Sequence, residues 1–90
     1  MKLKDGWILT KVGDDYAAVP TNESAENFRG IISLNESGKD IWQGLVDGLD
    51  EERIADRLMD MYEIDSRDTA VRAVEKVINI LKEEGILKDE

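Results

Sequence analysis

The chain has 90 residues, which is enough for one domain with a single hydrophobic core and too few for a second core. Its 21 acidic and 12 basic side chains give a formal net charge of −9, which repels phosphate backbones and anionic membrane surfaces. Histidine and cysteine are both absent, which excludes the usual zinc sites, Ser-His-Asp triads, Cys-His dyads and iron–sulfur ligation. We therefore expect a protein without catalytic residues, cofactor or metal, and without a nucleic-acid or membrane partner.

The N-terminal residues and the lengths of the apolar runs indicate where the protein is located. Residues 1–6 carry charge but lead into no signal-peptide core. No apolar run approaches the roughly 20 residues that span a bilayer. We expect a cytoplasmic protein that folds as one domain over residues 1–90.

The first third of the chain has the composition of β-strands. Trp7–Val12 is apolar and β-branched, a turn cluster covers residues 13–15, and residues 16–19 form a second strand, so a hairpin is predicted. Pro20 ends that strand because it cannot donate to a ladder. After a polar connector at 21–27, a short third strand is predicted from its apolar residues, which are Phe28, Ile31, Ile32 and Leu34.

Three helices follow the predicted strands. Either Asn35 or Ser37 caps the first helix, and Gly48 follows its end. Asp50 caps the second helix, and either Asp65 or Ser66 opens the third. The third helix, residues 67–84, is the longest, and Gly85 closes it so that the apolar pair after it folds back. Core positions are predicted at Leu34, Ile41, Trp42, Leu45, Ile54, Leu58 and Leu81.

These elements predict an α+β fold that is winged-helix-like, with an N-terminal three-stranded antiparallel sheet followed by three helices. Winged-helix proteins often bind DNA, and such binding requires more basic than acidic side chains on the contacting helices. Residues 35–65 contain three bases against ten acids, and residues 66–84 contain four of each. Because no basic stripe exists to reach base edges, a transcriptional regulator is disfavoured.

The third predicted helix has a wider apolar stripe than a small core needs. Its centre is formed by Ala70, Val74, Val77 and Leu81. One interpretation is that the helix is wrapped deeply by the sheet and the other helices. The other is a groove along one open flank. That flank would be lined either by Val71, Val74 and Ile78 or by Ala73, Val77 and Ile80.

The third predicted strand offers a possible free edge beside this helix. An extended peptide can dock on such an edge as an additional strand, with alternate side chains entering the adjacent groove. The edge would be the segment Gly30, Ile31, Ile32 and Ser33. Two alternatives stay open: the connector at 21–27 covers the edge, or a second copy of the chain pairs with it as a homodimer.

The order and spacing of residues along most of the chain resemble the PqqD family. The resemblance rests on the run Leu34-Asn35-Glu36-Ser37-Gly38 before Ile41-Trp42, on the Gly48 turn, on Ile54, Leu58 and Tyr62, and on Val74, Val77, Ile78, Leu81 and Gly85-Ile86-Leu87. It implies a recognition element for ribosomally made, post-translationally modified peptides. Such elements bind the leader segment of a precursor peptide as a strand between the third strand and third helix, and deliver it to a maturase, often a radical SAM enzyme.

The resemblance also implies roles for individual residues. Backbone pairing with the leader would fall to Gly30, Ile31, Ile32 and Ser33, and apolar leader side chains would meet Val71, Val74 and Ile78. Arg67 and Glu75 would offer charged ends to the groove. Since the sequence has no cysteine for a three-cysteine iron–sulfur motif, the maturase is expected to be a separate chain. An adaptor subunit that recruits another partner is the main alternative, because it would use the same surfaces.

Overall fold

The computed structural model describes residues 2–3, 6–20 and 32–88. In chain order the elements are β1 (Lys2–Leu3), β2 (Trp7–Val12), β3 (Asp15–Pro20), β4 (Ile32–Leu34), α1 (Glu36–Val46), α2 (Glu51–Met61), α3 (Arg67–Glu83) and β5 (Leu87–Lys88). Strands β2, β3 and β4 form a three-stranded antiparallel sheet in that order, and the three helices follow it. The predicted α+β fold is confirmed, although winged-helix-like describes it only loosely.

The predicted β2–β3 hairpin is confirmed, and it closes through a two-residue turn. Trp7 lies opposite Pro20, and Val12 lies opposite Asp15, so Asp15 belongs to β3 and not to the turn. Gly13 in the turn has a φ of 63°, which glycine adopts without the steric cost that a Cβ would bring. Strand β4 adds to the other side of β3, and its Ile32 pairs with Ala18. The predicted strand residues Phe28, Gly30 and Ile31 lie outside the described part of the chain.

A second sheet, of two strands, joins the ends of the described chain and was not predicted. Lys2 pairs with Lys88, and Leu3 pairs with Leu87. Two-residue strands carry no alternation that a sequence pattern could reveal. The apolar fold-back after α3 is confirmed, because the Ile86 amide donates to the Leu81 carbonyl at 2.9 Å and Ile86 is fully buried.

Side-chain caps fix where each helix begins. The Asn35 side chain accepts from the Gly38 amide at 2.8 Å, the Asp50 side chain accepts from the Arg53 amide at 2.9 Å, and Ser66 accepts from the Thr69 amide at 3.2 Å. Ser37, the alternative cap of α1, instead donates its hydroxyl to Asn35. Each cap satisfies an amide that has no partner within its helix and stabilises the fold by about 0.5–2 kcal/mol.

The core lies between the inner face of the sheet and all three helices. Trp42 is 4% exposed, which confirms it as a core residue. The other predicted core residues are also buried: Leu34, Ile41, Leu45, Ile54, Leu58 and Leu81. On the sheet, Ala18, Ile32 and Leu34 face this core, while Ile8 and Val12 of β2 remain exposed. Within the part of the chain that the structure describes, no helix combines the length and apolar character of a membrane span.

Gly44 allows close packing between α1 and α2. A Cβ at this position would lie 2.8 Å from Cγ1 of Ile54, a side chain that is fully buried and has no room to move. Gly44→Ala is therefore expected to lower the free energy of unfolding by about 1–2 kcal/mol, because overpacking outweighs the gain in helix propensity. Urea unfolding measures this change. The exposed substitution Glu75→Ala serves as the control, and a Gly44→Ala protein as stable as that control would contradict the prediction.

Candidate functional site

Strand β4 is an edge of its sheet. The strand order β2-β3-β4 gives β4 one neighbour, β3, and no described strand lies on its other side. Ile32 and Leu34 point into the core, whereas Ser33 between them is exposed. An edge strand of this kind presents backbone amides and carbonyls that a further strand can use.

A cavity of about 440 Å³ lies beside this edge, between β4 with the start of α1 and one flank of α3. Its lining residues are Ser33, Leu34, Asn35, Ser37, Gly38, Ile41, Ala73, Lys76, Val77 and Ile80. Leu34 and Ile41 are buried and form the apolar base, and Ile80 is 36% exposed. The cavity is open, and its wall combines apolar side chains with polar ones, which are Ser33, Asn35, Ser37 and Lys76.

The structure separates the two flanks of α3 that the sequence left as alternatives. Ala73, Val77 and Ile80 line the cavity. Val74 and Ile78, by contrast, are 0% and 1% exposed and belong to the core. Val71 is half-buried against that core and does not line the cavity. Of the candidate strand residues, Ile32 and Ser33 lie in β4, and Gly30 and Ile31 lie outside the described residues.

The two charged candidates lie away from the cavity lining. The Arg67 Nε donates to Asp56 Oδ1 at 3.0 Å, and its Nη2 donates to the Glu52 carbonyl at 3.2 Å. Arg67 therefore connects the start of α3 to α2. Glu75 is exposed and does not line the cavity.

Several cavity residues were not singled out as site residues from the sequence. Asn35, Ser37, Gly38 and Ile41 reach the cavity because α1 begins directly after β4. Their position within the PqqD-like run could have identified them as candidate site residues. Lys76 was missed as well, although it lies three residues after Ala73 and so shares its side of the helix.

A polar cluster outside the cavity connects α1 to α2 and to the sheet. Asp40 is the buried charged residue of the described chain; it accepts a hydrogen bond from the Tyr62 hydroxyl, and its Oδ1 lies 3.0 Å from Lys39 Nζ. The same ammonium lies 5.3 Å from the centre of the Tyr16 ring. Burial, followed by the hydrogen bond to Asp40, raises the pKa of Tyr62. The hydrogen bond to Asp40 also raises the pKa of Lys39.

This cluster predicts a loss of stability at alkaline pH. The pKa of Tyr62 is raised in the fold above its ordinary value of 10.0. The contribution of protonated Tyr62 to the free energy of unfolding is therefore complete below pH 10.0 and declines as the pH rises further. Tyr62→Phe removes this titration while Lys39 still titrates. In urea unfolding between about pH 8 and pH 11, we expect the wild-type free energy of unfolding to fall more steeply than that of Tyr62→Phe. Parallel pH profiles would contradict this assignment.

A second concavity, of about 370 Å³, lies where α1 passes into α2. It is lined by Gly48, Leu49, Asp50, Glu51 and Glu52. Asp50 is engaged there as the cap of α2, and the acidic side chains that follow complement the positive end of that helix. Among residues 2–3, 6–20 and 32–88, no three His, Cys, Asp or Glu side chains are grouped so that they could hold a metal ion.

Two solved structures share the fold of this chain. The first is "TbiB1 in Complex with the TbiA(beta) Leader Peptide", with a TM-score of 0.77 and 22% sequence identity over 100% of this chain and 98% of the other. The second is "Lasso peptide synthetase B1 complexed with the leader peptide", with a TM-score of 0.75 and 22% identity over 98% and 96% of the two chains. Comparison with curated proteins gives no significant match.

The sequence matches the family model of coenzyme PQQ synthesis protein D (PqqD) over residues 21–87. This range includes β4, the three helices and all the described residues that line the cavity. The match covers well over half of the chain, and the protein therefore belongs to the PqqD family.

Proposed function

We propose that this protein binds the leader segment of a ribosomally synthesised precursor peptide and presents it to a modifying enzyme, without catalysing a reaction itself. The observation that carries the proposal is the edge of β4, which has no described strand on its outer side, directly beside a cavity with apolar side chains in its wall. Membership of the PqqD family supports it, as do two structures of the same fold that hold leader peptides. The leader would be added to the sheet as a strand next to β4.

The dimensions of the two elements suit this mode of binding. Alternate side chains of an extended strand project to the same face about 6.6 Å apart. Successive turns of a helix follow at about 5.4 Å. Ala73, Val77 and Ile80 line the cavity at four- and three-residue spacings along α3, so a leader strand that runs along this helix would meet them with alternate side chains. Main-chain hydrogen bonds would provide affinity, and the cavity would provide selectivity for apolar side chains.

The proposed roles follow from these positions. Ile32 and Ser33 provide backbone pairing, and Ala73, Val77 and Ile80 receive the leader side chains. Gly30 and Ile31 lie outside the described residues, and their proposed share in the pairing rests on the family resemblance. We prefer this flank to Val71, Val74 and Ile78, since the last two are buried in the core. Arg67 and Glu75 are given no direct contact with the leader, because neither lines the cavity.

The partner in this proposal is a maturase on a separate chain. We propose a radical SAM enzyme, because the resemblance to PqqD proteins implies one. The protein would act in the cytoplasm as one domain over residues 1–90.

An amide NMR titration with a candidate precursor peptide, chosen from short reading frames near the gene, tests the proposal. We expect shift changes to concentrate in residues 32–34 of β4 and 73–80 of α3, with an affinity of about 1 µM or tighter. Binding without changes in these residues, or the absence of binding, would refute leader presentation at this site.

Because no described strand lies beyond β4, we also propose a homodimer in the absence of peptide, formed when two copies pair at this edge. Peptide and second copy would compete for the same backbone groups. Analytical ultracentrifugation should then show that the peptide converts any dimer to a 1:1 complex of monomer and peptide. A dimer that binds peptide without dissociating would exclude pairing through this edge.

A further inference from the structure

Lys76 is the charged side chain among the described residues that line the candidate cavity. The other nine described lining residues are neutral: Ser33, Leu34, Asn35, Ser37, Gly38, Ile41, Ala73, Val77 and Ile80. The chain as a whole has a formal charge of −9. A cation beside this cavity can attract an anionic group of a ligand, even in a protein that is acidic as a whole.

Lys76 also has no ion pair among the described residues, whereas Arg67 and Arg72 of the same helix each have one. Arg67 lies 3.0 Å from Asp56, and Arg72 lies 3.0 Å from Asp68. The positions three and four residues from Lys76 hold Arg72, Ala73, Asn79 and Ile80, so no acid occurs at the spacing of a helical ion pair. Lys76 is exposed, and its ammonium is available to a ligand in the cavity.

We propose that Lys76 selects leader segments that carry an Asp or Glu close to the apolar residues entering the cavity; this inference rests on the proposed function. An acidic side chain at that register would form an ion pair with Lys76 at the cavity rim. Acids elsewhere in the peptide would meet the net negative charge of the protein and gain nothing. The favoured ligand is therefore an apolar segment with one positioned acid.

Two substitutions separate the charge of Lys76 from its aliphatic stem. Lys76→Met keeps an apolar chain of similar length that can cover the cavity, and Lys76→Glu reverses the charge. If the stem alone mattered, Lys76→Met would bind peptides as well as the wild type. If the charge selects the ligand, both substitutions weaken binding, and the reversal does so more strongly.

The test uses phage-displayed random peptides of about 12 residues, selected against the full chain. Peptides whose binding is lost in Ala73→Trp are assigned to the cavity, because that substitution fills it. We expect these peptides to share an Asp or Glu at a fixed distance from apolar residues. Their affinity should fall about three- to fivefold in Lys76→Met and about tenfold or more in Lys76→Glu. Exchanging the acid of the peptide for Lys should restore binding to Lys76→Glu.

The outcomes distinguish this inference from the function on which it rests. Cavity-binding peptides without a shared acid, or with affinities unchanged in Lys76→Glu, would overturn the role of Lys76 and leave peptide binding intact. If the selection and the encoded precursor both yield no peptide that binds at the cavity, the proposed function and this inference fail together.

Discussion

Ala73→Trp should largely abolish binding of the precursor peptide while the protein remains folded. Ala73 is half-buried on the cavity flank of α3, and an indole at this position would occupy the space that a leader side chain needs. Excluding one apolar side chain forfeits about 2–3 kcal/mol, which corresponds to roughly 30- to 150-fold in Kd. Isothermal titration calorimetry measures the affinity, and thermal unfolding verifies that the fold is retained.

Glu75→Trp is the matched control for this substitution. It adds an indole to the same helix two residues later, at an exposed position that does not line the cavity. Peptide affinity should stay within about twofold of the wild type, because a single surface contact outside the site contributes little. If Glu75→Trp instead weakened binding and Ala73→Trp did not, the leader would lie on the other flank of α3.

Local patterns in the sequence were sufficient to predict the helices, the hairpin and the residues at which the helices begin. The caps Asn35, Asp50 and Ser66 each precede an apolar helical repeat, and a side-chain oxygen there needs only an amide two or three residues away. The hairpin was predictable for the same reason, since its turn and alternation are contained in one segment. Most predicted core residues, such as Trp42, followed from helical periodicity.

The orientation of α3 could not be read from its sequence. Apolar side chains occur on both flanks of its central stripe, so periodicity gives the stripe but not the neighbour of each flank. That choice depends on how α3 packs against α2 and the sheet. The Arg67–Asp56 ion pair lies on the α2 side, and Ala73 and Val77 are left beside β4. Strands β1 and β5 were missed for a related reason, because their pairing joins residues 2–3 to 87–88.

Ile78→Ala should lower the stability of the fold and leave peptide binding intact, whereas Ile80→Ala should weaken peptide binding and change stability little. Ile78 is 1% exposed in the core, so its truncation leaves a cavity and is expected to cost about 2–5 kcal/mol of the free energy of unfolding. That is a large part of the roughly 5–13 kcal/mol expected for a domain of this size. Ile80 is 36% exposed at the cavity, so its truncation should cost less than about 1 kcal/mol of stability.

For peptide affinity, Ile80→Ala should have the larger effect. The two substitutions together therefore test which flank of α3 contacts the leader. Ile80→Ala removes apolar surface that a leader side chain would cover, so Kd should rise about five- to tenfold. Ile78 exposes no surface to the cavity, so the Kd of Ile78→Ala for the peptide, corrected for the folded fraction, should stay near the wild-type value. Urea unfolding and calorimetry on both variants give the four numbers. A loss of affinity confined to Ile78→Ala would mean that the core opens to admit the leader, and the cavity beside β4 would then lose its assigned role.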